Sequence, residues 1–249
     1  MVSIRINGQP AQGEAGSTLL EVARNAGVSI PTLCHHEALP PLGSCRLCLV
    51  EISGGGRPGL VASCSYPVQE GLVVETHSAR VLRARRLVVE LLLARCPQVP
   101  RLQELAEELG VSASRFPAEE HDCILCGLCV RACQELGLSS IGFVNRGAER
   151  EVTTPFRKPS EVCLGCGVCA HICPVQTVEM EEEDHSRWMK SWNTRLPLQK
   201  CSSCGKYFST EKQLLYLKER VALPEEVFQL CQTCRKKALL RNLAAIPSR

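Results

Sequence analysis

The feature that most constrains the fold of this 249-residue sequence is a cysteine run that occurs twice. Residues 123–133 and residues 163–173 each follow the spacing C-x2-C-x2-C-x3-C. A shift of forty residues superimposes all four cysteines and the glycines Gly127 and Gly167. This spacing is typical of a pair of [4Fe-4S] clusters, in which the fourth cysteine of each run binds the cluster of the other run. Two zinc sites or a disulfide knot are the alternatives, and the matching phase of the two runs favours the clusters.

The spacing predicts two sets of four ligands, each with three cysteines from one run and one from the other. The first set is Cys123, Cys126, Cys129 and Cys173. The second set is Cys163, Cys166, Cys169 and Cys133. We expect a bacterial-type ferredoxin domain with two cubane clusters over residues 117–184, with a surface insertion at residues 137–160.

The N-terminal residues follow the pattern of a small β-grasp sheet with one packed helix. Residues 2–6 alternate apolar and polar side chains, and the dipeptide Asn-Gly that follows is typical of a tight hairpin turn. Ser17 is a suitable N-cap for a helix that ends before Gly27. Residues 47–52 and 72–76 are predicted to be further strands.

Four more cysteines lie within this N-terminal unit, with the spacing C-x10-C-x2-C-x15-C. They are Cys34, Cys45, Cys48 and Cys64. Thiolates bind both zinc and iron–sulfur clusters, so the spacing alone leaves a zinc ion and a [2Fe-2S] cluster open.

Two stretches around these cysteines carry a resemblance to a known family. Residues 31–35 read Pro-Thr-Leu-Cys-His, and residues 43–51 read Gly-Ser-Cys-Arg-Leu-Cys-Leu-Val-Glu. Both resemble the N-terminal [2Fe-2S] domain of the large iron–sulfur subunit of complex I-type NADH dehydrogenases. They are equally similar to the diaphorase iron–sulfur subunit of bidirectional hydrogenases and of some NAD-linked formate dehydrogenases. The similarity extends to about residue 180.

The resemblance implies that Cys34, Cys45, Cys48 and Cys64 hold one [2Fe-2S] cluster, in a domain of residues 1–78. It also implies that a separate flavoprotein subunit binds NAD(P)H. The sequence itself contains no P-loop, and we expect no dinucleotide-binding unit within it. We therefore expect an electron-transfer subunit of a multi-subunit NAD(P)-linked oxidoreductase. Its further partners would be the catalytic subunit of a hydrogenase, a formate dehydrogenase or a similar enzyme, or ferredoxin.

Residues 79–116 are predicted to form a helical linker. Ser78 is placed to cap a helix that runs to about Arg95, and Pro97 ends it. In the resembling family this helix leads to a histidine and three cysteines that hold an additional [4Fe-4S] cluster. Here Cys96 stands at the histidine position and the three cysteines are missing. Because one thiolate cannot hold a cubane, we expect this cluster to be absent and Cys96 to be a buried apolar residue.

The cysteine pattern changes in the C-terminal tail, residues 185–249, which contains two C-x2-C pairs. The pairs are Cys201 with Cys204 and Cys231 with Cys234. Four thiolates in two pairs suit a tetrahedral, structural zinc ion, and a single iron uses the same ligands. We expect a small zinc-binding helical knuckle with helices at residues 210–220 and 232–245, in a structural or docking role.

Composition and charge bound the remaining possibilities. Seventeen cysteines in metal-ligand spacings, without a signal-peptide pattern or an apolar run long enough to span a bilayer, predict a cytoplasmic protein with no membrane span. The net charge of +3 and a group of arginines between residues 80 and 101 are a weak signal for nucleic-acid binding. A redox sensor or nucleic-acid-associated protein is therefore the alternative function, and we expect nucleic acid not to be a partner. The expected fold class is α+β.

Overall fold

The computed structural model describes the backbone of residues 1–244 and the side chains of residues 1–240, so residues 245–249 of the predicted tail lie outside it. The described chain mixes strands and helices. The strands are β1 (Val2–Ile6), β2 (Gln9–Gly13), β3 (Leu49–Gly54), β4 (Gly59–Ala62), β5 (Val73–Glu75), β6 (Gly142–Val144), β7 (Glu151–Thr153), β8 (Glu181–Glu183), β9 (Ser186–Met189), β10 (Thr194–Lys200) and β11 (Tyr207–Thr210). The helices are α1 (Leu19–Asn25), α2 (Ala79–Arg95), α3 (Pro100–Leu109), α4 (Leu128–Glu135), α5 (Val168–His171), α6 (Glu211–Lys218), α7 (Glu225–Gln229) and α8 (Gln232–Ala244). Within residues 1–244, no helix has the length and apolar character to cross a bilayer.

Strands β1 to β5 form one sheet with the order β2-β1-β5-β3-β4. β1 and β2 form the predicted antiparallel hairpin, while β1 and β5 run parallel. Asn7 and Gly8 make the hairpin turn with φ angles of 51° and 79°, and positive φ at both residues is what a tight two-residue turn requires. β3 pairs antiparallel with both β4 and β5. This is the arrangement of the predicted β-grasp sheet.

Helix α1 packs against this sheet and has a different N-cap from the one predicted. Thr18, not Ser17, caps it: the Thr18 hydroxyl accepts from the backbone N–H of Glu21 at 3.3 Å, and the Glu21 carboxylate accepts from the backbone N–H of Thr18 at 2.7 Å. This reciprocal capping box satisfies two backbone donors, and Ser17 could not form one because Leu20, three residues after it, has no side-chain acceptor. The buried face of α1 completes a core that includes Cys48 and Cys64.

Helices α2 and α3 form the predicted linker and carry the buried core towards the second half of the chain. α2 has the predicted bounds, and the hydroxyl of its N-cap Ser78 accepts from the backbone N–H of Val81 at 3.2 Å. Apolar side chains of both helices pack into one core with Cys34 and Cys45 of the N-terminal unit and Cys126 of the first cysteine run. The linker therefore joins the two cysteine groups through buried side chains.

Two short helices begin inside the cysteine runs at equivalent positions. α4 begins after Gly127 and α5 after Gly167, and these glycines have φ angles of 72° and 78°. A Cβ atom on Gly127 would lie 3.0 Å from the side chains of Leu42 and Phe143, and one on Gly167 would lie 2.9 Å from the sulfur of Met180. Both positions therefore require glycine for conformation and for space.

Strands β8 to β11 form an antiparallel sheet that the sequence did not predict, with the strand order β11-β10-β9-β8, and β9 to β11 lie in the tail. β8 lies in the acidic stretch at residues 181–184, whose composition is that of a solvated loop. Its charges pair across the strands, with Glu182 bound to Arg187 at 2.5 Å and Glu183 to Arg195 at 2.8 Å. Because these basic side chains lie on β9 and β10, the acidic stretch can form a strand.

The predicted tail helices are present as α6 and α8. Thr210 caps α6, since its hydroxyl accepts from the backbone N–H of Gln213 at 3.2 Å. α8 begins directly after Cys231, contains Cys234 and extends to Ala244; the predicted last residue of this helix, Ala245, lies outside the described residues.

The tail packs directly against the second cysteine run. The carbonyl of Gly165 accepts from the guanidinium of Arg187 at 2.7 Å, and the carbonyl of Leu164 accepts from the hydroxyl of Thr210. A Cβ atom on Gly165 would lie 2.8 Å from the side chain of Leu196 in β10. The β9–β11 region is thus part of the wall around the second run.

Two of the arginines between residues 80 and 101 make internal contacts. Arg85 is only 1% exposed, and its guanidinium donates to the carbonyls of Leu47 at 3.1 Å and Leu49 at 2.7 Å. Arg95 donates to the carbonyl of Cys123 at 3.0 Å. These contacts tie α2 to the segments that carry cysteines, so Arg85 and Arg95 stabilise the fold.

Replacing Arg85 by methionine is expected to lower the free energy of unfolding by about 3 kcal/mol. The methionine fills similar space but leaves two buried carbonyl groups without donors, and each such group costs roughly 1–3 kcal/mol. Denaturant unfolding followed by circular dichroism measures the change. Arg83 is exposed on the same helix, so Arg83→Met is the matched control and should change the free energy by less than about 0.5 kcal/mol. Equal losses in the two variants would contradict the role of Arg85.

Candidate metal centres

The four N-terminal cysteines are buried at one end of the β-grasp sheet and lie as two pairs. None is more than 7% exposed: Cys34, Cys45, Cys48 and Cys64. The thiol of Cys45 donates to the sulfur of Cys34, and this hydrogen bond lowers the pKa of Cys34 to about 6. The thiol of Cys64 likewise lowers the pKa of Cys48 to about 6. The same two hydrogen bonds raise the pKa values of the donors, Cys45 and Cys64. Metal binding deprotonates all of its cysteine ligands, and four sulfurs in two pairs fit the two irons of a [2Fe-2S] cluster.

The loop backbone aims N–H groups at these sulfurs. The backbone N–H of Cys45 donates to the sulfur of Cys34 at 3.4 Å. Arg46 has a φ angle of 57°, which is uncommon for a residue with a side chain and turns the loop sharply after Cys45. Hydrogen bonds of this kind favour the charged form of a thiolate, so the loop is shaped to hold negative sulfur.

Arg131 of α4 links this site to the first cysteine run. Its guanidinium donates to the carbonyl of Cys34 at 2.6 Å and to the carbonyl of Pro40. The hydroxyl of Ser44 donates to the carbonyl of Leu125 at 3.1 Å. The two cysteine-bearing loops are therefore joined by hydrogen bonds, with the positive charge of Arg131 between them.

The first cubane set lines a single cavity, and the cysteine from the other run is among the lining residues. The set is Cys123, Cys126, Cys129 and Cys173. The backbone N–H of Leu125, which has a φ angle of 55°, donates to the sulfur of Cys123 at 3.4 Å. Burial raises the pKa of Cys126 to about 12. A cavity lined by four cysteines is a donor set that fits a [4Fe-4S] cluster.

The second cubane set lines a neighbouring cavity, again with one cysteine from the other run. The set is Cys163, Cys166, Cys169 and Cys133. The backbone N–H of Gly165 donates to the sulfur of Cys163 at 3.5 Å. The backbone N–H of Ser140 donates to the sulfur of Cys133 at 3.3 Å, and the Ser140 hydroxyl lies 3.3 Å from the same sulfur. This set fits a second [4Fe-4S] cluster by the same criterion.

Trp192 lines both cavities. The residue is 6% exposed, and its indole N–H donates to the sulfur of Cys169 at 3.3 Å. Burial raises the pKa of Cys169 to about 11, and the indole N–H opposes this increase. The sequence did not predict Trp192 as a site residue, because it follows the last ligand cysteine by nineteen residues and no motif marks it.

The three cysteine sets follow one another through shared buried cores. The core beneath α2 and α3 contains Cys34 and Cys45 of the N-terminal set with Cys126 of the first cubane set. A second core contains Cys129 of the first cubane set, and Cys169 of the second set packs against it. The spatial order is therefore N-terminal set, first cubane set, second cubane set.

The tail cysteines form a more compact group. The sulfurs of Cys201, Cys204, Cys231 and Cys234 all lie within 4.8 Å of one another, and those of Cys204 and Cys231 are 3.7 Å apart. A tetrahedral ion with metal–sulfur bonds of about 2.3 Å has sulfurs about 3.8 Å apart, so the group fits one ion. The backbone N–H of Cys231 donates to the sulfur of Cys201 at 3.3 Å and lowers the pKa of Cys201 to about 6.

Cys96 is fully buried at the end of α2, which confirms its predicted place among apolar residues. Burial raises the pKa of its thiol to about 12. Cys96 packs among apolar side chains and lies outside the four cysteine sets, so it has the properties of a small apolar core residue.

Two families of domains match the chain. The family of 2Fe-2S iron-sulfur cluster binding domains matches residues 1–79, and the family of 4Fe-4S dicluster domains matches residues 118–180. The tail after residue 180 lies outside both matches.

The chain is also similar to components of nicotinamide-linked enzymes. It is 34% identical over 203 residues to an NADH-quinone oxidoreductase subunit of Rhizobium meliloti, a match that covers 70% of this chain and 23% of the relative. It is 35% identical over 207 residues to the NADP-reducing hydrogenase subunit HndD of Solidesulfovibrio fructosivorans, which covers 70% of this chain and 35% of the relative. A chain in the crystal structure of an NAD+-reducing [NiFe]-hydrogenase in the H2-reduced state superimposes with a TM-score of 0.56 and 32% identity, covering 61% of this chain and 74% of that chain. The chain thus spans between about a quarter and a third of the length of these two curated relatives.

The crossed placement of the fourth cysteines leads to a prediction. Cys133→Ala is expected to remove or convert the cluster of Cys163, Cys166 and Cys169, because Cys133 lines that cavity. Cys173→Ala should affect the other cluster instead. Mössbauer and electron paramagnetic resonance (EPR) spectra of anaerobically purified variants measure which cluster is altered. Loss of the Cys123 cluster in Cys133→Ala would contradict the crossed arrangement.

Proposed function

Since the chain belongs to the family of iron–sulfur proteins that includes subunits of complex I-type NADH dehydrogenases and NAD(P)-linked hydrogenases, we propose that it is an electron-transfer subunit of such a complex. It relays electrons through one [2Fe-2S] cluster and two [4Fe-4S] clusters. The electrons pass between an NAD(P)H-linked flavoprotein subunit and a catalytic subunit of hydrogenase or formate dehydrogenase type, or ferredoxin. The observation that carries this proposal is the row of three cysteine sets joined through shared cores.

Twelve cysteines are the proposed ligands. The [2Fe-2S] cluster is held by Cys34, Cys45, Cys48 and Cys64. The two [4Fe-4S] clusters are held by Cys123, Cys126, Cys129 and Cys173, and by Cys163, Cys166, Cys169 and Cys133. When bound, each cluster takes up and releases single electrons at a potential set by its type, burial and hydrogen bonds.

The other residues of the chain exclude water from these sites and balance their charge. The apolar side chains of α2, α3 and α4 enclose the space between the N-terminal set and the first cubane set. Arg131 places its guanidinium at the junction of these two sites, where it donates to the carbonyl of Cys34. A cation at this position stabilises an additional negative charge on either neighbouring site, which favours passage of an electron between them.

The proposed partners follow from chemistry that the chain itself lacks. Residues 54–59 match the letters G-x-G-x-x-G, but they join the antiparallel strands β3 and β4 and open no helix, so they do not form a dinucleotide fingerprint. A flavoprotein subunit therefore supplies the reaction with the nicotinamide. The names of the relatives, an NADH-quinone oxidoreductase subunit and an NADP-reducing hydrogenase subunit, support this kind of partner. The alternative, a nucleic-acid-associated redox sensor, is less well supported because Arg85 and Arg95 are committed to internal carbonyl groups.

In the tail, the proposal is a structural zinc ion held by Cys201, Cys204, Cys231 and Cys234. The compact sulfur group supports a single ion, and zinc needs no electron-transfer role because it has no redox chemistry. We propose the division of the chain into a [2Fe-2S] domain (1–78), a helical linker (79–116), a two-cubane domain (117–184) and a zinc-binding tail (185–249).

Iron and sulfide content tests the proposed function. Anaerobically purified protein is expected to contain about ten iron atoms per chain, from one [2Fe-2S] and two [4Fe-4S] clusters. All three clusters should be reduced by NAD(P)H once the native flavoprotein subunit is present, and this reduction is followed by EPR spectroscopy. A reproducible iron content near fourteen would indicate an additional cubane. Intact clusters that receive no electrons from any co-purifying flavoprotein would contradict the proposed function.

Removing one tail ligand separates structure from electron transfer. Cys201→Ser is expected to lower zinc from about one ion per chain towards zero, because ligand loss weakens a site whose binding energy also stabilises the local fold. Hydrogen exchange in residues 195–244 should increase while iron content is unchanged. Cys96→Ala, which lies outside all four cysteine sets, is the control and should retain both metals. Redox-active iron in the tail site would contradict the structural role.

A further inference from the structure

The two cubane sites differ in the hydrogen bonds that their sulfurs receive, although the cysteine runs are repeats. The repeat gives each site one equivalent backbone donor: Leu125 to Cys123 at 3.4 Å and Gly165 to Cys163 at 3.5 Å. Leu125 and Gly165 are forty residues apart, as the cysteines are. Each site therefore receives one equivalent hydrogen bond from the backbone.

Two further contacts from side chains are made to sulfurs of the second site, so the two sites are not equivalent. The hydroxyl of Ser140 lies 3.3 Å from the sulfur of Cys133. At the equivalent repeat position, forty residues later, stands Met180, whose side chain has no hydrogen to donate. The indole N–H of Trp192 lies 3.3 Å from the sulfur of Cys169.

The Trp192 contact is built into the fold. The ring is buried between the two cavities, packed in the core that contains Cys129, Ile141 and Met189. The carbonyl of Trp192 accepts from the hydroxyl of Thr194 at 2.9 Å, which fixes the backbone beside the ring. An indole N–H can only donate, so its placement against a sulfur fits a negatively charged acceptor.

We propose that Trp192 and Ser140 make the cluster of Cys133, Cys163, Cys166 and Cys169 the more easily reduced of the two cubanes. Reduction adds negative charge to the cluster and its sulfurs, so hydrogen bonds to those sulfurs stabilise the reduced form more than the oxidised form. Trp192 is thus a positioning and tuning residue supplied by the segment after the two-cubane domain match, which ends at residue 180. An electron that enters from the [2Fe-2S] side comes to rest on the second cubane, next to the tail.

This inference rests on the proposed function, because it requires both cubanes. It is tested on the anaerobically purified full-length protein by redox titration followed by EPR spectroscopy. Trp192→Phe keeps an aromatic ring in the core and removes the donor. The expected result is about a tenfold decrease in the equilibrium constant for reduction of the higher-potential cubane, which is about 59 mV for a one-electron couple. The potential of the other cubane should be unchanged.

The chain offers a matched control, since it contains two tryptophans. Trp188 lies on β9 and stacks with the guanidinium of Arg195 at 5.0 Å, so Trp188→Phe makes the same chemical change away from the sulfurs. It should leave both potentials at their wild-type values. A shift of the lower-potential cubane in Trp192→Phe, equal shifts in both tryptophan variants, or no shift with iron content intact would overturn the inference.

A second variant keeps the test decisive if Trp192→Phe loses iron. Ser140→Ala removes the other side-chain donor and should lower the potential of the same cubane. Unchanged potentials in Ser140→Ala would then overturn the inference. Absence of [4Fe-4S] signals in the wild-type protein would instead contradict the proposed function, so the two failures are distinguishable.

Discussion

Burying negatively charged sulfur is the constraint on which the rest of this structure depends. Thiolates removed from water need donors or cations, and the chain supplies them mainly from its own backbone. Residues with positive φ recur where the loops turn around a sulfur, as at Arg46, Leu125 and Gly165. The N–H group of Leu125 donates to Cys123, and the N–H group of Gly165 donates to Cys163. The loops are therefore shaped by the sulfurs more than by regular secondary structure.

The same constraint explains why the separate parts of the chain are packed so closely. Each cysteine loop has carbonyl groups that face inward, and these are satisfied by side chains from the neighbouring part. Arg85 of α2 donates to a carbonyl beside Cys48, and Arg131 of α4 donates to the carbonyl of Cys34. Arg187 of β9 donates to the carbonyl of Gly165. Every one of these donors is an arginine that reaches a backbone carbonyl in another segment. The contacts between segments thus follow from hydrogen-bonding requirements of the loops.

Much of the fold and the cysteine groups could be predicted because their signals are local. The hairpin turn and the N-cap of α2 depend on neighbouring residues in the sequence. The cysteine spacing within each run is also local, and the second run repeats it forty residues later. The β8–β11 sheet and the Trp192 contact could not be predicted, since they arise from pairing between segments. Glu182 becomes a strand residue only when Arg187 faces it. Trp192 and Cys169 are twenty-three residues apart, and a contact over this distance leaves no periodic pattern in a single sequence.

The crossed placement of Cys133 and Cys173 also determines the order in which the cysteine sets become complete while the ribosome synthesises the chain. The N-terminal sulfur set is complete once Cys64 has emerged, so its domain can acquire iron early. The two cubane sets are completed later. The first set is incomplete until Cys173 has been synthesised, and the second cavity lacks part of its wall until Trp192 and Thr210 have been synthesised. With the ligands proposed above, the two cubanes can therefore be completed only after most of the chain has been translated.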